Sequence, residues 1–233
     1  MRRVVRWRDT GFAYVLGYNR VMAELIHVHA ETPQPRRIAQ VADALRAGRV
    51  IGYPTDSSYG LACAMGDKNA IDRIRQMRGF GRDHFFTLVC RDLSEISTYA
   101  KVDNTSFRLL KAATPGAYTF VLPASKVVPN WLAHPKRKTI GIRVPGHPVA
   151  RAIAEAVDAP IMSVTAQRPD DEFALSEATE LRDAFDKQLD LIVDAGATGM
   201  EPTTVVDLTG AVPRILRLGK GSAEAIGLDP VEA

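Results

Sequence analysis

Apolar positions along this chain follow two periods in turn. Ile38, Val41, Ala42 and Leu45 recur at helical spacing behind Pro35 and stop before Gly48, which predicts a helix with proline in its first turn and glycine at its C′ position. Leu25-Ile26-His27-Val28-His29 ahead of it and Val50-Ile51-Gly52-Tyr53 behind it read as short strands. The second of these runs into Pro54-Thr55-Asp56-Ser57-Ser58, a cluster of turn formers and hydroxyls. Asp67 is placed to cap a helix carrying Ile71, Ile74 and Met77, after which Gly79, Gly81 and Asp83 mark a loop and Phe86 to Cys90 a strand. Further on, Phe107 and Leu110 belong to a helix closed by Thr114-Pro115-Gly116. Val149, Ile153 and Val157 stripe another, and Leu181 and Phe185 a third. Ala117 to Leu122, Thr139 to Val144, Pro160 to Thr165, Leu189 to Val193, Thr204 to Leu208 and Pro213 to Leu218 read as strands. Helices interleaved with strands and hairpin-length connections predict an α/β fold, one twisted mixed sheet with helices on its faces.

Composition narrows this to one ordinary globular core. At 233 residues, 46% apolar and 24% charged, the chain can fold without metals or disulfides. Cys63 and Cys90 are far apart in apolar stretches, which argues against a metal pair or a disulfide framework and for a reducing compartment. No apolar run approaches the roughly 18 residues that cross a bilayer, so a cytoplasmic location with no membrane partner is expected.

The net charge of +3 is unevenly placed. Residues 1–21 hold Arg2, Arg3, Arg6, Arg8 and Arg20 against Asp9, five minus one or +4, leaving +3 minus +4 or −1 for the rest. The chain is therefore read as a basic N-terminal extension, 1–21, and a single domain, 22–233. Met22 offers a fresh start, so the extension is either a misassigned upstream segment or a basic arm that contacts RNA.

Several familiar chemistries are missing. There is no phosphate loop of the G-x-x-x-x-G-K-[ST] type, and Gly219-Lys220-Gly221-Ser222 imitates only its end. No G-x-G-x-x-G follows a strand. His27 and His29 alternate on a strand and need further ligands to hold zinc, and His147 before Pro148 reads as a local hydrogen-bonding residue at a helix start. No metal site is expected. What remains are hydroxyls near strand ends, Thr55, Ser57, Thr119, Thr165 and Thr203, with Arg78, Arg143 and Arg217 as matching cations. Guanidinium forks beside hydroxyls suit a ligand bearing carboxylate and phosphate groups.

Five ordered motifs resemble one family. Tyr53-Pro54-Thr55-Asp56-Ser57-Ser58-Tyr59-Gly60-Leu61, Pro115-Gly116-Ala117-Tyr118-Thr119-Phe120-Val121-Leu122, Arg143-Val144-Pro145-Gly146-His147-Pro148, Thr203-Thr204-Val205-Val206-Asp207 and Arg217-Leu218-Gly219 are similar to the signatures of the YrdC family of threonylcarbamoyl-AMP synthases, and in particular of its YciO branch. The resemblance runs from about Pro35 to Gly227. It implies a large twisted sheet around an open cavity, in which ATP, L-threonine and bicarbonate are joined as threonylcarbamoyl-AMP with release of pyrophosphate, for the threonylcarbamoyl modification of tRNA. It places Ser57 and Thr203 on the threonine side and Thr119 and Arg217 on the nucleotide. With the remaining strand-end groups, the expected site is Thr55, Ser57, Tyr59 and Thr203 for the substrate and Arg78, Thr119, Arg143, Thr165 and Arg217 for the nucleotide, with Mg2+ arriving on the ATP.

The chain departs from the family at two stretches. The synthases' K-x-R is Arg78-Gly79-Phe80 here, and their S-x-N is Thr165-Ala166-Gln167. His84 stands for an asparagine of the first loop and Val89 for a histidine on the strand after it. Arg75 or Arg82 could replace the lost cation if the loop folds inward. Three readings therefore stay open: a synthase with a rebuilt loop, an ATP-binding paralogue with weak or different chemistry, and a non-catalytic module whose concave face binds double-stranded RNA.

Overall fold

The computed structural model describes residues 22–81, 84 and 86–229. The proposed basic extension at 1–21, together with Arg82 and Asp83, lies outside them. Ten strands, β1 Glu24–His27, β2 Ile51–Pro54, β3 Tyr59–Ala64, β4 Thr87–Val89, β5 Tyr118–Pro123, β6 Thr139–Arg143, β7 Ile161–Thr165, β8 Leu191–Asp194, β9 Thr204–Asp207 and β10 Arg214–Arg217, form one sheet. Its order is β1-β8-β2-β3-β7-β4-β6-β5-β9-β10. The sheet is mixed: β1/β8, β2/β8, β4/β6 and β5/β9 pair in parallel and the other neighbours antiparallel. Among the described residues six α-helices flank it: α1 Pro35–Arg46, α2 Lys68–Arg78, α3 Leu93–Tyr99, α4 Asn104–Ala113, α5 Pro148–Val157 and α6 Ala178–Phe185.

The helix boundaries follow local chemistry. Pro35 opens α1, and Gly48 beyond its end adopts φ 77°, a left-handed conformation that glycine takes without a Cβ penalty. Asp67 accepts from the Ala70 N–H to cap α2, which Gly79 closes at φ 64°. Two elements had no counterpart in the apolar pattern. β3 carries Gly60, Ala62 and Ala64, weak strand formers, and follows the hydroxyl cluster without a break. α3 is only seven residues long, and its signal is the Asp92 side chain accepting from Glu95 N–H at 2.8 Å.

The two sheet faces are covered unequally, and this creates the site. On one face, Leu61, Cys63, Met162, Leu88, Ile142 and Phe120 pack with apolar residues of α2, α3, α4 and α6. On the other, Ile51, Tyr53, Ala62, Val89 and Ile161 lie under Val41 and Leu45 of α1 and Val149 and Ile153 of α5. Because side chains alternate along a strand, Ser163 and Thr165 share the face of Ile161, and Thr87 that of Val89. These hydroxyls continue the face beyond the two helices, where it becomes the floor of an open cavity.

His147 serves the fold. Its Nδ1 accepts from the Val149 N–H at 3.2 Å and caps α5. Burial holds His147 below its ordinary pKa, with Lys220 adding to the effect and Asp56 and Glu31 opposing it. The unfolded chain therefore binds a proton more readily than the fold does. The cap's contribution is complete above the ordinary histidine pKa of about 6.5 and is lost as pH falls through the folded value. Burial and the neighbouring Arg78 and Arg75 shift His84 in the same direction, so acid sensitivity is shared. His147→Asn, which keeps a capping oxygen, is expected to match wild type near pH 7 and to gain on it as pH drops towards about 5. Parallel unfolding curves at all pH values would rule this out.

Candidate functional site

The β2–β3 hairpin is braced by its own hydroxyls. The Thr55 hydroxyl donates to the Ser58 carbonyl at 2.7 Å, the Thr55 N–H to the same oxygen at 3.2 Å, and the Ser57 N–H to Thr55 Oγ1 at 3.1 Å. Held this way, Ser57 donates its hydroxyl to the Glu201 carbonyl at 2.6 Å, which leaves its oxygen lone pairs as acceptors. Asp56 faces away from these contacts. Its carboxylate accepts from the Gly146 N–H at 3.1 Å and pairs with the Arg143 guanidinium; the two side chains are 12% and 10% exposed. Arg143 thus reaches the cavity with its charge already matched, and Asp56, to which the sequence assigned no role, is the group that matches it. Tyr59 also borders the cavity, but it is fully buried and its hydroxyl points elsewhere, donating to the Gly196 carbonyl at 2.9 Å; burial raises its pKa to about 12.

The floor is a register row. Thr119 of β5 lies beside Val205 of β9, and Val205 beside Arg217 of β10. A bulge between Ile215 and Arg217 produces the last pairing. Regular pairing would set Leu216 opposite Val205; the extra residue turns Arg217 to that position instead. Arg217 donates to the Thr203 carbonyl through Nε at 3.2 Å and Nη2 at 3.0 Å, and Thr203 Oγ1 lies 2.9 Å from Thr119 Oγ1. Burial lowers the Arg217 pKa. The turn below requires Gly219, where an added Cβ would lie 2.2 Å from the Pro202 carbonyl oxygen and 2.9 Å from the Thr203 carbonyl carbon. Both atoms are backbone, so Gly219→Ala is expected to push β9 and β10 apart and cost about 2–3 kcal/mol in an unfolding titration. A variant with wild-type stability would contradict the close approach.

The opposite wall joins the two divergent stretches. Arg78 at the end of α2 is buried and donates to the Gln167 carbonyl, to the Arg168 carbonyl at 3.4 Å and to Gln167 Oε1 at 3.1 Å. Gln167 in turn donates its amide to the Asp171 carbonyl at 2.6 Å. The guanidinium lies 4.4 Å from the Phe80 ring centroid, and Phe80 stacks on His84 at 3.4 Å. Burial pulls the Arg78 pKa down to about 10, with Asp171 opposing. Among the described residues no carboxylate forms an ion pair with Arg78. Arg75, considered as a replacement cation, is paired with Asp72 at 2.9 Å and lies over Phe86, away from the cavity lining; Arg82 is outside the described residues.

All nine expected site residues, Thr55, Ser57, Tyr59, Arg78, Thr119, Arg143, Thr165, Thr203 and Arg217, border this one cavity of about 340 Å³. The sequence reading did not include Ser163, which accepts from the Tyr53 hydroxyl at 2.9 Å and faces the cavity beside Gly60. Gly60 leaves that bond room, since a Cβ there would lie 2.9 Å from the Tyr53 ring and 3.2 Å from Ser163 Oγ. Among the described residues no three His, Cys, Asp or Glu side chains are grouped to hold a metal, and no helix is long and apolar enough to cross a membrane.

Comparison with known proteins agrees on one family. The family model described as Sua5_yciO_yrdC, telomere recombination, matches residues 43–219. The chain is similar to the crystal structure of E. coli YciO, with 47% identity and a TM-score of 0.84 over 88% of this chain and all of that one. It is 30% identical to the threonylcarbamoyl-AMP synthase of Halorhodospira halophila over 176 residues, 75% of this chain and 91% of that protein. It is also similar to the crystal structure of P. abyssi Sua5 complexed with L-threonine, with 28% identity and a TM-score of 0.80, covering 88% of this chain and 62% of that one.

Proposed function

Because this chain belongs to the Sua5/YciO/YrdC family, we propose that it is an enzyme of the threonylcarbamoyl-AMP synthase type, joining L-threonine, bicarbonate and ATP with release of pyrophosphate. The observation that carries this reading is the convergence, in one cavity, of Ser57 and Thr203 with Thr119, Arg143 and Arg217. The volume of about 340 Å³ falls in the range of small-molecule sites, which favours a nucleotide and an amino acid over an RNA duplex as occupants of this cavity. The P. abyssi relative, whose structure contains L-threonine, supports threonine as the amino acid.

In this reaction the threonine amine and bicarbonate lose water to give a carbamate. A carbamate oxygen then attacks the α-phosphorus of ATP, forming the new P–O bond as the bond to pyrophosphate breaks. The chemistry needs positioning and charge stabilisation more than a nucleophilic side chain. Ser57, with its proton committed to Glu201, offers an acceptor for an N–H of the threonine amine. Arg217, held by Thr203 without a carboxylate partner among the described residues, offers charge to the nucleotide phosphates. Mg2+ arrives with the ATP.

A second reading, an ATP-binding paralogue with slow turnover, draws on the Arg78–Gln167 contact. Both residues lie where the chain departs from the synthase motifs, and the guanidinium that a phosphate would need is occupied by Gln167 of the same wall. One assay separates the two. Incubation with ATP, threonine and labelled bicarbonate should yield threonylcarbamoyl-AMP, with pyrophosphate release that depends on threonine and bicarbonate together. Product no greater than a no-protein control, with ATP still bound, selects the paralogue.

A further inference from the structure

A second pocket lies at the far end of the β5–β6 pair. Its volume is about 450 Å³, and it is bordered by Lys101, Ser125, Lys126, Asn130 and Lys138 over an apolar base that includes Val128 and Ala133. Thr119 marks the cavity end of β5, and Ala124 lies five residue steps along the chain from it, or roughly 17 Å. The two sites are therefore distinct.

The frame of this pocket is fixed by backbone bonds. The Lys101 N–H donates to the Pro123 carbonyl at 2.8 Å, the Ser125 N–H to the Tyr99 carbonyl at 2.9 Å, and the Ala124 N–H to the Lys138 carbonyl at 2.8 Å. Three ammonium groups border it, and none has a carboxylate at ion-pair distance among the described residues, where every ion pair uses an arginine or His27. The connection 124–138 carries Lys126, Lys136, Arg137 and Lys138 and no acid. The acid nearest in sequence to Lys101, Asp103, is committed to capping α4 through the Ser106 N–H at 2.7 Å. Lys138 adds an independent sign, because it sits at φ 54°, in the left-handed region that favours glycine. Glycine would make the same two backbone bonds, to the Ala124 N–H and the His134 carbonyl, without strain. What a lysine adds there is a charged side chain at the border of the pocket.

We propose that this pocket is a phosphate-binding site separate from the strand-end cavity, taking a chain of phosphates, either a free oligophosphate or the backbone of a nucleic acid. Uncompensated ammonium groups around the rim of one concavity attract successive phosphates, and Lys136 and Arg137 extend the charge beyond that rim.

The test uses the full chain carrying Arg217→Ala, which weakens phosphate binding in the strand-end cavity. Inorganic tripolyphosphate and a short RNA duplex are each titrated against this protein with and without Lys126→Ala and Lys138→Gly. The lysine changes are expected to weaken binding of at least one probe by about fivefold or more, with Lys138→Gly alone at least as stable as its parent. Loss confined to tripolyphosphate identifies a free oligophosphate. Loss for the duplex, with a salt dependence that flattens when the lysines go, identifies a nucleic-acid backbone. A smaller loss for both probes overturns the proposal. Because the readout is in an Arg217→Ala background and measures no turnover, it is independent of whether the synthase reading holds.

Discussion

Asp56→Ala is expected to destabilise the protein by about 3–5 kcal/mol, among the largest effects of any single change at the site. The residue sits in the β2–β3 hairpin and pairs with Arg143, and both side chains are about nine-tenths buried. Forming such a pair from solvated ions yields little, because desolvation offsets the attraction. Removing one partner is different, since it leaves the other charge buried without compensation. The Arg143 Nε is already buried without a hydrogen-bond partner, so this guanidinium has few alternatives. The Gly146 N–H loses its acceptor at the same time, which loosens the segment leading into α5. In a chain of this size the expected fall in melting temperature is roughly 6–20 °C. Asp56→Asn keeps an acceptor for Gly146 and should fall between the two. A loss below about 1 kcal/mol for Asp56→Ala would mean that Arg143 finds water or another partner, and that the pair does not hold the hairpin against β6.

Arg78→Ala is expected to release the wall formed by residues 167–171, with a loss of at least one charge-assisted hydrogen bond, about 1.5–3 kcal/mol, and a fall in ATP affinity of about tenfold. The side chain holds two carbonyls and one amide oxygen, from Gln167 and Arg168, that lie 89 and 90 residues away in sequence. Its role in this arrangement is to position the wall. Arg78→Lys distinguishes that from a charge directed at a phosphate. A lysine keeps the charge but cannot present the planar fork to both oxygens of Gln167, so it should behave like alanine in hydrogen exchange at 167–171. If Arg78→Lys instead restores ATP affinity while the wall stays protected in every variant, Arg78 acts through its charge and the contact with Gln167 is incidental.

The parts of the fold that could be read from the sequence are those whose causes are local. Pro35, Gly48, Asp67 and Gly79 mark the ends of α1 and α2 through contacts within four residues, and the structure ends those helices where the residues stand. Strand alternation marked β5 and β6 in the same way. β3 escaped because Gly60, Ala62 and Ala64 are weak strand formers, whereas β2 and β7, buried to a similar extent, were legible from their β-branched residues.

The candidate site divides along the same line. The sequence by itself determined which groups stand at element ends: Thr55, Ser57, Thr119, Thr165, Thr203, Arg143 and Arg217 near strand ends and Arg78 on the helix before the loop. Only the tertiary structure decided which of them are available. It matched Arg143 with Asp56 across 87 residues, spent the Ser57 proton on Glu201 across 144, and joined Thr119 to Thr203 across 84. It also turned Arg217 inward through a bulge that nothing in Arg214-Ile215-Leu216-Arg217 announces. The physical reason is the range of the forces. Capping and alternation act within a turn or a strand, whereas a buried charge takes whichever partner the packed sheet brings to it, and the strand order sets that partner.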